Sequence, residues 1–150
     1  MRGRAWEKCW PILFAVASGI AALCFTAEQQ AAIMDELTSQ LITVQAVLVG
    51  FLSAALTLVL SSQGLRTIER LKNTRAYKDY LRYHWEAVWL GLLSIFSSMV
   101  VLVVDKHPKA FPLIGAGSTH LLFILWTAMS AWATFSFIRA VYLLRCLLAD

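Results

Sequence analysis

Residues 37–65 read LTSQLITVQAVLVGFLSAALTLVLSSQGL, a run without a single Asp, Glu, Lys or Arg. A bilayer core about 30 Å thick takes roughly 20 helical residues to cross, and this run exceeds that. In lipid every backbone N–H and C=O must find its partner within the protein, so an isolated stretch of this length has to be a helix. Three more uncharged stretches flank it: Cys9 to Ala27, Ala87 to Val104 and Ala110 to Ile138. The alternation expected of a membrane β-barrel is absent. The reading is an all-α polytopic membrane protein with four transmembrane helices, at about 9–27, 40–63, 86–104 and 112–138. A cytoplasmic helical hairpin, about 64–85, extends between the second and third.

The chain has 150 residues, 59% of them hydrophobic, and a mean hydropathy of +0.67. Four spans and their ends use nearly all of that length, so 1–150 is expected to be one transmembrane domain. The net charge of +4 matters less than its placement. Arg2, Arg4 and Lys8 precede the first span. Arg66, Arg70, Lys72, Arg75, Lys78 and Arg82 lie between the second and third. Arg139 and Arg145 follow the fourth. Lys106 and Lys109 alone fall on the other side. The positive-inside rule makes the crowded side cytoplasmic, with both termini there. The first 30 residues imitate a signal peptide, with a basic start, an apolar run and then Phe25-Thr26-Ala27, and are expected to stay as a signal-anchor helix. Cys9, Cys24 and Cys146 are odd in number and lie in or beside the membrane, which is no disulfide framework. They are small packing residues or, at Cys9 and Cys146, S-acylation sites.

Small residues recur on one face of several spans. Ser39, Thr43, Ala46, Gly50, Ser53 and Thr57 follow one another at four or three in the second span. Ala87, Gly91, Ser94 and Ser98 do so in the third. Ala15 with Gly19, and Ser18 with Ala22, form small-xxx-small pairs in the first, where Pro11 suits the opening turn. Such stripes let helix backbones approach closely. The second and third spans are expected to pack small face against small face. Alternatively, several copies form a ring in which Thr43, Ser53, Thr57 and Ser61 wet a pore.

Catalytic signals are thin. The span interiors offer only Gln45, hydroxyls and His120, an expected interfacial histidine that could otherwise sense protons. Asp105 with His107, and His84 with Glu86, fall short of a metal set. His84 and Glu86 are expected to be solvated at the inner interface, with Glu86 paired to Arg82 one turn earlier. No enzyme activity, metal or cofactor is expected. The basic hairpin either enforces topology and touches anionic lipid, or docks a cytosolic protein through Arg66, Arg70, Lys72, Arg75, Lys78 and Arg82 with Tyr77 and Tyr80 among them. Tyr and Arg are favoured interface anchors. Direct nucleic-acid contact is not expected so close to a negative membrane surface.

Gln45-Ala-Val-Leu-Val-Gly-Phe-Leu52 to Leu60-Ser-Ser62, the basic hairpin, and Leu81-Arg-Tyr-His-Trp-Glu-Ala-Val-Trp89 to Ser94-Ile-Phe-Ser-Ser98 resemble the small four-helix membrane subunits of bacterial anti-phage operons of the Kiwa type. The likeness covers about residues 40 to 100 and lies in helix count, orientation and texture. It implies a homo-oligomer in the bacterial inner membrane that holds a cytosolic effector in antiviral defence. The function expected is therefore to sense or respond at the membrane and to signal to that partner. A pore-forming effector, or a small channel or transporter, is the alternative.

Overall fold

The computed structural model describes residues 3–61, 75–106 and 116–149. They form four α-helices: α1 (Gly3–Ala22), α2 (Ala27–Ser61), α3 (Arg75–Lys106) and α4 (Ala116–Ala149). Three contain segments long and apolar enough to cross a membrane: Glu36–Val59 in α2, Tyr77–Val104 in α3 and His120–Cys146 in α4. The apolar part of α1, Cys9–Ala22, is shorter. The first span expected over 9–27 thus ends five residues early. Half of the expected hairpin, residues 64–74, lies outside the described residues. Its second limb is continuous with the third span, since α3 runs unbroken from Arg75.

The stop at Ala22 has a local cause. The N–H groups of Leu23, Cys24 and Phe25 each bond three residues back, to Ile20, Ala21 and Ala22. This tightens the last turn and ends the helix. Thr26 then opens α2 with a capping box. Its N–H donates to Gln29 Oε1 at 3.1 Å, and the Gln29 N–H donates to Thr26 Oγ1 at 3.5 Å. Gln30, 4% exposed, donates its amide to the carbonyls of Ala22 and Phe25. One side chain thereby satisfies the orphan end of α1 and fixes the corner. The polar stretch 28–39 is the first part of α2, whose 35 residues reach about 52 Å at 1.5 Å per residue. Pro11 is also displaced from expectation. It is buried and inside α1, because the helix starts at Gly3.

Neighbouring helices are antiparallel. Trp10 and Phe14 of α1 meet Phe135 of α4. At the other end, Ala22 packs with Val101, Phe123 and Trp126. Leu52 of α2 meets Ala87 and Ala140, and Val59 meets Tyr77 and Tyr80. The starts of α1 and α3 and the ends of α2 and α4 therefore share one end of the bundle, the basic end. Helix α4 is central, with α1 on one side and α3, backed by α2, on the other.

The stripes sort differently from expectation. Ala87, Gly91, Ser94 and Ser98 of α3 are buried, and Ala15, Gly19 and Ala22 of α1 face inward. A Cβ at Gly19 would lie 3.5 Å from Ala128 of α4. But Thr43, Ala46, Gly50, Ser53 and Thr57 of α2 all point outward. The face that α2 turns to α3 carries Thr38, Gln45, Leu52 and Val59, spaced by sevens, with Ala55. The small face of α3 accepts larger side chains, which fill space that two small faces would leave empty. The hydroxyls of the outward stripe need no partner helix: Thr43, Ser53 and Thr57 each donate to a carbonyl four residues back, at 2.9–3.1 Å. The cysteines are exposed as well, against the packing reading.

A Cβ at Gly91 would lie 2.5 Å from Val49 Cγ2, whereas at Gly50 nothing comes within 4 Å. Overpacking costs about 1–3 kcal/mol, and Val49 is stiff at χ1. Gly91→Ala is expected to lower the unfolding midpoint in detergent, and Val49→Ala to restore most of the loss. Gly50→Ala should be neutral or stabilising by up to about 1 kcal/mol.

Candidate functional site

Three helices meet around a polar line in the middle of the bundle. Gln45 Nε2 of α2 donates to Ser94 Oγ of α3 at 2.7 Å. Ser94 Oγ lies 3.2 Å from Ser130 Oγ of α4. One turn further along, Trp126 Nε1 of α4 donates to Ser98 Oγ at 2.8 Å, and Ser98 Oγ donates to the Ser94 carbonyl at 2.9 Å. All five side chains are buried. Interhelical bonds of this kind contribute about 0.6 to 2 kcal/mol each in a membrane protein. Their chemistry is structural: an amide, hydroxyls and an indole hold register but supply no titrating group.

Charge enters at the basic end. Arg139 of α4 is 4% exposed, and its guanidinium lies 2.9 Å from Glu86 of α3 and 4.1 Å from the centre of the Tyr83 ring. Glu86 therefore pairs across the helix interface, and its expected partner Arg82 is exposed. An i, i+4 pair on one helix offers modest stabilisation in water. A guanidinium buried on the facing helix must be compensated, so it takes the carboxylate. His84, expected to be solvated, is fully buried, and Tyr80 is 1% exposed. Tyr80 Oη and His84 Nδ1 are 3.3 Å apart.

Beside the ion pair a cavity of about 340 Å³ opens between α1 and α3, over α4. Trp10, Phe14, Tyr83, Ile138, Arg139, Tyr142 and Leu143 line it. Its volume falls in the range of small-molecule sites. Aromatic side chains are exposed at the same end of the bundle: Trp85 is 54% exposed, Trp89 61% and Tyr142, in the cavity lining, 63%. Exposed Trp and Tyr at one level of a membrane protein sit at the headgroups.

The residues expected to dock a partner divide. Lys78 and Arg82 are exposed. Tyr77 and Tyr80 are buried with Val59 and against Leu81, Leu143 and Leu144, so they form the base of this surface and not its contact face. Arg66, Arg70 and Lys72 lie outside the described residues, and Arg75 opens α3. Of the residues expected to pack or line a pore, Gly91, Ser94 and Ser98 come together at the α2–α3–α4 junction, while Thr43, Ala46, Gly50, Ser53 and Thr57 stay apart on the outer face. In the sequence Arg139 reads only as a topology signal. The available signal was its position directly after an uncharged span, six residues before Arg145. His120, only partly buried, is not joined to this site.

Removing one partner of a buried ion pair costs more than removing both. Glu86→Gln is expected to cost about 2 kcal/mol, near the low end of the range for such pairs, because its side chain keeps 36% of its exposure. The double change Glu86→Gln with Arg139→Met should recover most of that loss, as read by thermal unfolding in detergent. Comparison with protein-family models, with curated proteins and with solved structures finds no match to this chain.

Proposed function

We propose that this chain is a non-enzymatic, multi-pass protein of a bacterial inner membrane. It crosses four times, keeps both termini in the cytoplasm, and docks and signals to a cytosolic protein partner at its basic end, in a setting of anti-phage defence. The observation that carries the reading is the division of the first three turns of α3. Tyr77, Tyr80, Tyr83 and His84 are buried, and Lys78, Arg82 and Trp85 are exposed on the same turns. A flexible basic segment would serve topology equally well. Here the cations stand on a packed base that includes Val59 of α2 and Leu143 and Leu144 of α4. Such a platform presents charge in a fixed geometry, which favours specific docking. Arg66, Arg70, Lys72 and Arg75 precede it in sequence and would extend the same positive surface.

The fourth crossing is α1. It is the shortest in apolar length, yet it follows α4 from Phe135, beside Trp10, to Phe123, beside Ala22. It therefore shares the depth of a helix that is long enough to span. Inside placement of the termini follows from the cations at this end.

The test is native mass measurement of the tagged chain, extracted in gentle detergent from its own host. A stoichiometric soluble protein is the expected companion. Lys78→Glu with Arg82→Glu should weaken that companion about tenfold or more, chiefly through slower association, and high salt should do the same. A preparation that carries no soluble protein under any salt condition overturns docking.

A second reading is self-assembly, with or without a pore, and the outward stripe of α2 favours it. With Gly50 free of neighbours and its hydroxyls satisfied by their own helix, that face is smooth enough for a second copy to approach closely. Gly50→Leu with Ser53→Leu is then expected to reduce the oligomer to smaller species in native mass spectra. For a pore, the same change should alter leakage of membrane potential. An unchanged oligomer sinks the role of this stripe.

A further inference from the structure

We propose that the cavity between α1 and α3 is a binding site for one anionic phospholipid, whose acyl chain lies against Trp10, Phe14 and Ile138 and whose phosphate meets the guanidinium of Arg139. The inference rests on the membrane reading of the helices and is independent of the docked partner.

Three observations meet here. The first is shape. Helices α1 and α3 both lean on α4 and leave about 340 Å³ between them, lined almost wholly by aromatic and aliphatic side chains. At about 30 Å³ per water, that space is far larger than an inorganic anion needs, and its walls offer such an ion few donors. A long apolar tail suits them.

The second is depth. Trp85, Trp89 and Tyr142 are exposed at this end of the bundle, which places the cavity mouth at the boundary between headgroups and acyl chains. A ligand entering sideways at that level is a lipid.

The third is charge. Arg139 is the charged residue in the lining. Its guanidinium is held by Glu86 and stacked on Tyr83, so it is already oriented and dehydrated. Ile138, Tyr142 and Arg145 recur at four and three residues, on one face of α4. They mark a path from the apolar wall, past a phenol, to an exposed cation at the basic rim. Arginine forms strong charge-assisted bonds to phosphate. Glu86 opposes an anion, so the phosphate must share the guanidinium with it. Its side chain is partly exposed and can turn outward to water.

The experiment uses the full chain, delipidated in mild detergent and titrated with phosphatidylglycerol, with phosphatidylcholine or with inorganic phosphate, and read by native mass spectrometry. One phosphatidylglycerol per chain is expected, retained at least about tenfold more tightly than phosphatidylcholine, whose phosphate is the same but whose quaternary ammonium cancels the net negative charge and is repelled by the exposed Arg145. Inorganic phosphate at the same concentration should not displace it. Arg139→Gln should abolish the preference. Because that change could also unfold the chain, Ile138→Trp serves as a second variant. Ile138 is 46% exposed, so the larger ring fills the cavity without entering the core, and the bound lipid should be lost while Arg139 stays. Equal retention of both lipids, displacement by phosphate alone, a second copy of the chain in place of lipid, or indifference to both variants overturns the site. Alkaline carbonate extraction of the same membranes separates the two ideas. Release of the chain would sink the membrane reading itself, whereas a chain that stays and holds no lipid sinks only the site.

Discussion

The fold depends on how closely α3 can approach its neighbours. Between helices in lipid there is no hydrophobic gain to be had, because the displaced acyl chains are as apolar as the side chains that replace them. Association then relies on dispersion at short range and on polar groups that lipid cannot satisfy. Gly91 supplies the first, with Val49 of α2 seated where its own side chain would have been. Ser94 supplies the second, joined to Gln45 on one side and Ser130 on the other. Together they bind three helices at one level and set the register that carries Glu86 to Arg139 at the basic end.

From that register follows a separation of roles along α3. Its middle is the hub of the bundle, its far end joins the cluster of Val101, Phe123, Trp126 and Ala22, and its first turns carry tyrosines inward and cations outward. The buried ion pair lies between the hub and the cationic surface. A guanidinium there need not add stability over an apolar residue of similar size. It commits α3 and α4 to one rotation and presents an oriented charge to the cavity beside α1.

How much of this is legible in sequence varies by element. Helix α2 was clear from its uncharged run, and its start at Ala27 could have been read from Thr26-x-x-Gln29, a capping signature. The early end of α1 was not, because hydropathy continues through Leu23 to Phe25 and the stop comes from Gln30 reaching back to Ala22. The stripe on α3 lies in the interior of the bundle. The stripe on α2 has the same texture and faces outward, since spacing identifies a face but not what it meets. The better guide was Gln45: an amide alone in an apolar run demands a partner, and the face it marks is the one that α3 covers.

Sequence by itself determined the helical class, the runs long and apolar enough to cross a membrane, and the gathering of cations at one end. These follow from local physics: the thickness of the bilayer, the need to satisfy each backbone group, and the cost of burying charge. Tertiary structure alone decided which faces meet, that Arg139 takes Glu86 and leaves Arg82 in the open, that Tyr77, Tyr80 and His84 are interior, and that a cavity remains between α1 and α3. The reason is that a helix surface is specified by its own residues, whereas its rotation is chosen by the fit of small and large side chains on the helices beside it.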